Sequence, residues 1–92
     1  MNLEQVKVFP VVRRYLIQTE QTSLVAKIEE RRDLGIEKYG QELHTFNGRD
    51  ARKDAEEEIL DCLQYVTQLG LEKDVDVSHI LSKLVEVYQD LG

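Results

Sequence analysis

Residues 50–70 read DARKDAEEEILDCLQYVTQLG, and this stretch decides the fold class. Its apolar residues recur at intervals of three and four, the spacing of one face of an α-helix; they are Ala55, Ile59, Cys62, Leu63 and Val66. Asp50 is a good N-cap, so we predict a helix from Ala51 to Leu69 that ends at Gly70.

The N-terminal residues fit two patterns. Val6 and Val8 belong to an alternation that is typical of a strand, whereas Val12 and Leu16 have helical spacing. Pro10 has no N–H to lose and suits the first turn of a helix. We therefore favour a helix from about Pro10 to Thr19.

A second helix is predicted from about Ser23 to Tyr39. Thr22 or Ser23 is its expected cap, and Gly40 is a plausible residue just beyond its end. Gly35 lies inside this helix and weakens it by about 1 kcal/mol relative to Ala. Its missing side chain would let another helix approach closely.

The remaining segments complete an all-α chain. Residues 40–49 have the composition of a loop, and a charged connection from Glu72 to Asp76 leads to the last helix, capped by Asp76 or Ser78. Short loops predict antiparallel neighbours, so we expect an antiparallel helical bundle in one domain, residues 1–92. The apolar stripe of the last helix consists of Val77, Ile80, Leu81, Leu84, Val85, Tyr88 and Leu91.

The composition and net charge of the chain limit the classes of protein to which it can belong. The chain has 92 residues, 41% of them hydrophobic and 33% charged, which is a globular composition with a thin core that a second copy would help to cover. A net charge of −6 argues against nucleic-acid binding but not against a nucleotide bound with a metal. A single cysteine, no signal peptide and no long apolar run favour the cytoplasm and exclude a membrane span.

Four carboxylates share the face of the residue 51–69 helix that lies opposite its apolar residues. At about 100° per residue, Asp54, Glu57 and Glu58 fall within roughly 60° of Asp61. Like charges at this spacing repel, and no Lys or Arg follows on this face to offset them. Carboxylates at positions i and i+3 can reach one Mg²⁺ ion, whose other ligands are often substrate phosphates. The alternative is a solvated acidic face, which is common.

Other charged and aromatic residues extend the hypothesis. Lys38 and Arg49 flank the loop before the acidic helix, where cations would clamp a polyphosphate; Arg52 and Lys53 join them, with plain solubility as the alternative. Glu30 and Asp33 lie one turn apart on the second helix. They would supply a second set of oxygen ligands or belong to an ion-pair surface with Glu29 and the arginines.

Several residues carry weaker signals. Tyr39 and Tyr65 have the chemistry to stack on a base, but core packing is the safer expectation for both. Cys62 projects from the apolar side of its helix and is expected to be a small buried hydrophobe. His44 and His79 lack the spacing of a zinc site.

Two landmarks carry a family resemblance. They are Lys38-Tyr39-Gly40 and the run from Asn47 into DAEEEILD at residues 54–61. The segment from Arg32 to Leu69 resembles the MazG-like, all-α nucleoside triphosphate pyrophosphohydrolase superfamily. That family has a Glu-x-x-Glu pair on one helix and a Glu-x-x-Asp pair on a later one. Glu58 and Asp61 match the second pair, and Glu30 and Asp33 stand at the first, with Asp33 where the family has Glu.

The resemblance implies hydrolysis of a nucleoside triphosphate between the α- and β-phosphates, with Mg²⁺ as cofactor and Mn²⁺ as a substitute. It implies assembly as a homodimer or homotetramer. Its metal ligands would be Glu58, Asp61, Glu57 and Asp33. Glu57 or Glu30 would accept the proton of the attacking water. The substrate would be bound by Lys38, Tyr39 and Arg49.

A second function remains open beside the enzyme. The imperfect first pair and the short chain are also compatible with a non-catalytic acidic helical protein. Such a protein would use the same scaffold to bind a partner or a nucleotide without cleaving it.

Overall fold

The computed structural model describes residues 4–92, which contain four α-helices and no strand. The predicted all-α class is confirmed. The chain divides into two compact units, residues 1–48 and residues 49–92, and each of them contains one pair of helices. The first pair is α1 (Val8–Gln18) with α2 (Val25–Tyr39), and the second is α3 (Ala51–Lys73) with α4 (Ser78–Leu91).

In the first unit, α1 and α2 pack side by side. The predicted first helix is confirmed, and it begins two residues earlier, at Val8. The predicted second helix begins later than expected, because Thr22–Leu24 form a 3₁₀ turn and no side chain caps Val25. The capping prediction for Thr22 or Ser23 is therefore wrong. Gly40 follows α2 in the left-handed conformation, with φ of 81°, as expected of a residue beyond a helix end.

A short extended segment before α1 pairs with the loop after α2. An isolated antiparallel bridge joins Lys7 to His44, with Val8 N donating to Leu43 O at 3.0 Å and Thr45 N to Val6 O at 2.9 Å. The strand-like pattern before Pro10 therefore has a physical basis, although it extends over only a few residues. We call this pairing of residues 4–8 with residues 43–46 the clasp.

In the second unit, α3 is longer than predicted. We expected Gly70 to end it, but the helix continues to Lys73 and ends at Asp74 in the left-handed conformation. A Cβ at position 70 would lie 2.9 Å from a Val77 methyl group. The glycine therefore permits the close return of the chain after α3 and does not end the helix. The close approach expected at Gly35 is absent in the described residues, where nothing lies within 4 Å of an added Cβ.

The last helix returns along α3. The N-cap position of α4 is Val77 and Ser78 is its first residue, so neither predicted residue occupies the cap, although Asp76 accepts a hydrogen bond from Ser78 N at 2.8 Å. Most of the predicted stripe is half-buried, whereas Ile80 and Val85 are exposed. The half-buried members are Val77, Leu81, Leu84, Tyr88 and Leu91.

The described part of each unit has a thin core. Among residues 4–92 no hydrophobic side chain is fully buried, and the single buried residue is Gly70. Large apolar side chains are exposed in both units, up to 79% for Leu71. None of the described helices is both long enough and apolar enough to span a membrane.

Candidate functional site

Helix α3 positions the acidic face that the sequence indicates. The Asp50 side chain accepts a hydrogen bond from Lys53 N at 3.2 Å, so the predicted N-cap is confirmed. The apolar side predicted from the spacing is half-buried, which leaves the acidic face toward solvent. The half-buried residues are Ala55, Ile59, Cys62, Leu63 and Val66.

Three of the four predicted carboxylates on α3 are unengaged. Glu57, Glu58 and Asp61 are all exposed, and within residues 4–92 none of them forms an ion pair or a side-chain hydrogen bond. Their oxygens are therefore available to a cation. Hard oxygen donors of this kind are what Mg²⁺ and Mn²⁺ prefer.

The fourth carboxylate, Asp54, has a partner. Arg49 binds it with two hydrogen bonds, from Nε to Oδ2 at 2.9 Å and from Nη2 to Oδ1 at 2.8 Å. The hydrogen bonds from Arg49 and its charge, aided by the charge of Lys53, hold the pKa of Asp54 below its ordinary value. This pairing distinguishes Asp54 from the other three carboxylates on the acidic face of α3. It also engages the guanidinium predicted to hold substrate phosphate.

The first acidic pair lies on α2, in the other unit. Asp33 Oδ1 is 3.0 Å from Arg32 Nε, and the Arg32 guanidinium lies 4.2 Å from the centre of the Phe9 ring. Arg13 on α1 pairs with Glu29 at 3.5 Å. Two carboxylates of this region therefore belong to an ion-pair surface, which is one of the two alternatives that the sequence left open. Glu30 is exposed and has no such partner in the described chain.

The Lys-Tyr-Gly element lies at the end of α2. Tyr39 is 71% exposed, and Lys38 Nζ lies 5.2 Å from the centre of its ring. In the second unit Tyr65, one turn after Asp61, is 68% exposed. The expectation that these two tyrosines pack in a core is wrong, because most of each ring is exposed and residues 4–92 contain no fully buried hydrophobic side chain. The Tyr39 ring contacts the Lys38 ammonium, and the Tyr65 ring is exposed to solvent.

Two features bear on metal binding. Within residues 4–92, no three histidine, cysteine or acidic side chains form a group that could hold a metal ion by themselves. Mg²⁺ is often bound through only one or two carboxylates, with substrate phosphates and water completing its shell. The i,i+3 pair Glu58 and Asp61 meets that smaller requirement in type and number of donors.

Phe46 has a backbone conformation that the sequence pattern did not indicate. This residue has a positive φ of 53°, which is rare for a bulky side chain, and it is 59% exposed. The following Asn47-Gly48 is a turn signal that indicates a left-handed backbone nearby. This turn signal begins at Asn47, one residue after Phe46, so it does not identify Phe46 as the residue with the positive φ.

Comparison of the chain with protein-family models, with curated proteins and with solved structures finds no match.

Proposed function

We propose that this protein is an Mg²⁺-dependent nucleoside triphosphate pyrophosphohydrolase. The observation that carries the proposal is the exposed, unengaged set Glu57, Glu58 and Asp61 on one face of α3. The MazG-like pattern of Glu58 and Asp61 and the Lys-Tyr-Gly element supports the same reaction. Mn²⁺ would substitute for Mg²⁺ because both prefer oxygen ligands.

The donor set fits a hard divalent cation that is shared with phosphate. Glu58 and Asp61 would hold it, with Glu57 as a third ligand from the same face of α3. When bound, the cation neutralises phosphate charge and makes a bound water more acidic. The carboxylates would fix its position on the face of α3 that is directed away from the apolar side.

The remaining residues would align the reactants. Phosphoryl transfer depends mainly on positioning and charge neutralisation. A carboxylate oxygen of Glu57 would take the proton of the attacking water, while the electrons of the broken P–O bond leave with pyrophosphate. Arg49 would exchange Asp54 for a phosphate oxygen.

The direct test is incubation with a panel of NTPs and dNTPs and Mg²⁺, with detection of pyrophosphate and of the monophosphate. We expect Glu58→Gln and Asp61→Asn to lose at least tenfold in rate, since each removes a charged ligand of the type that Mg²⁺ requires. Glu86→Gln on α4 removes a charge elsewhere and should leave the rate unchanged. Wild-type protein that releases no pyrophosphate from any substrate would refute the proposal.

A non-catalytic protein on the same scaffold is the alternative, and two ion pairs favour it. Arg32 engages Asp33 and Arg49 engages Asp54, so two of the predicted acidic positions are neutralised. Thermal unfolding with and without Mg²⁺ or Mn²⁺ distinguishes the cases, because a cation that binds the folded state raises its melting temperature. Metal stabilisation and nucleotide binding without product would identify a binding protein.

We also propose that the protein assembles as a homodimer or homotetramer. The described residues include no fully buried hydrophobic side chain, and apolar groups on α3 and α4 face solvent. Burying apolar surface is favourable by about 25 cal/mol per Å². Association of copies would therefore stabilise helices that each unit covers only in part.

A further inference from the structure

Helix α3 carries an exposed apolar stripe in addition to its half-buried apolar side. At about 100° per residue, the members of the stripe fall within about 80° of one another around the helix; they are Leu60, Leu63, Thr67 and Leu71. Leu60 is 44% exposed and Leu71 is 79% exposed. From Leu63 onward the stripe lines a shallow groove in the surface of α3. We call the surface formed by these four residues the α3 groove.

The polar groups along the α3 groove are engaged within the helix itself. The Thr67 hydroxyl donates to Leu63 O at 2.7 Å, and Gln68 Nε2 donates to Glu72 Oε1 at 3.0 Å. The leucine side chains and the Thr67 methyl group are therefore what a partner would contact. Because the stripe follows a single helix, it suits a partner helix that supplies apolar residues at intervals of three and four.

The charge around the α3 groove selects the chemistry of that partner. Residues 49–92 contain five Lys or Arg and eleven Asp or Glu, so the whole net charge of −6 belongs to the unit that carries the groove. Glu56 lies one turn before the stripe on the same side of α3, and Glu72 lies directly after it, whereas Lys53 offsets part of this charge at the N-terminal end. A basic helix would be attracted to this unit, and a second copy of the same negative unit would be repelled.

We propose that the α3 groove binds a basic amphipathic helix of another protein. Apolar side chains of that helix would occupy the groove, and its Lys or Arg side chains would lie against the carboxylates at the two ends. Apolar burial would supply most of the affinity, while the charges would supply specificity and faster association. The inference goes beyond the proposed hydrolase, since Leu60, Leu71 and Glu72 take no part in the proposed metal site. Other exposed apolar residues, among them Ile80 and Val85 on α4, remain for the proposed assembly of copies.

Two synthetic helical peptides test the charge argument. Both have Leu at positions i, i+4, i+7 and i+11, and they differ only in having Lys or Glu at the flanking positions. Binding of each labelled peptide to the full chain is measured by fluorescence anisotropy, in Mg²⁺ and in EDTA. We expect the Lys peptide to bind on the order of tenfold more tightly than the Glu peptide, and added NaCl to reduce this difference.

Three variants test the position of the site. Leu60→Ala and Leu71→Ala should each weaken binding of the Lys peptide on the order of tenfold, because each removes an exposed apolar contact. Leu69→Ala is the matched control, since Leu69 is 50% exposed but lies on roughly the opposite side of α3. It should bind the peptide as wild type does. Circular dichroism of each variant checks that the helices are retained.

The results separate this groove from other surfaces. Equal binding of the two peptides overturns the proposal, and so does an equal loss in Leu69→Ala and Leu71→Ala. If Leu71→Ala dissociates copies of the chain in light scattering, the groove is a contact between copies and the proposal is wrong. It is also wrong if Mg²⁺ displaces the Lys peptide while Leu71→Ala leaves its binding unchanged, because the peptide then lies on the acidic face of α3.

Discussion

Adding one methyl group at Gly70 should destabilise the second unit, although Ala is the better helix former. Gly70 lies inside α3 where the chain returns toward α4. A Cβ at this position would lie 2.9 Å and 3.2 Å from the two Val77 methyl groups and 3.1 Å from Val75 O. Val77 is β-branched and stiff at χ1, and Val75 O is backbone, so neither can move away at low cost.

The size of the effect follows from two opposing terms. Replacing Gly with Ala in a helix interior stabilises by about 1 kcal/mol. Forcing a methyl group into a filled contact costs about 1–3 kcal/mol. The contact term should win, and we expect Gly70→Ala to lower the free energy of unfolding by about 1 kcal/mol.

The chain contains its own matched control. Gly35 also lies in a helix interior, on α2, and nothing in the described chain lies within 4 Å of an added Cβ. Gly35→Ala should therefore keep the propensity gain of about 1 kcal/mol. Urea unfolding followed by circular dichroism gives the two signs, and native-state hydrogen exchange assigns each change to its own unit.

A double variant tests the cause. Val77→Ala removes the two methyl groups that an added Cβ would meet, so Gly70→Ala should be milder in that background by about 0.5–3 kcal/mol. If Gly70→Ala stabilises the protein as much as Gly35→Ala, the close return of the chain at Val77 is not a packing constraint. The same conclusion follows if the double variant shows no coupling.

Two further predictions concern charge and assembly. Arg49→Gln should raise the pKa of Asp54 toward its ordinary value, which a carboxyl-carbon NMR titration measures, with Arg52→Gln as a control that leaves it unchanged. Because the folded pKa is the lower one, the ion pair stabilises fully above the ordinary Asp value, and this contribution is lost as pH falls through the folded value. Light scattering after size exclusion should give at least twice the chain mass of 10.7 kDa, and a melting temperature that rises with protein concentration; a monomer at all concentrations would contradict the proposed assembly.

Local signals in the sequence predicted much of the helical structure. Asp50 caps α3 as expected, and Gly40 has the left-handed conformation expected beyond a helix end. These features depend on residues a few positions apart, which is why a single sequence reveals them. Gly70 was misread as a helix end because a glycine at a helix end and a glycine at a close contact look alike in sequence. Only the position of Val77 distinguishes them.

The clasp could not be predicted from the sequence. Its hydrogen bonds join residues about 40 positions apart, and they use mostly backbone groups, which leave no pattern in the side chains. The left-handed conformation of Phe46 depends on the same bonds. The acidic face of α3 was predictable because it follows from helical periodicity alone, whereas the pairing of Asp33 with Arg32 depends on side-chain conformations.

The Arg32–Asp33 and Arg49–Asp54 ion pairs differ in how strongly they hold their carboxylates. Exposed ion pairs contribute only about 0–1 kcal/mol, and the Arg32 contact joins a single nitrogen to Asp33. Asp54 is held by two parallel hydrogen bonds from Arg49, the geometry that makes arginine–carboxylate pairs strong and specific. Metal binding should therefore favour Glu58 and Asp61 first and leave Asp54 with its arginine. Among the four carboxylates on the acidic face of α3, replacing Asp54 by Asn should have the smallest effect on cation affinity.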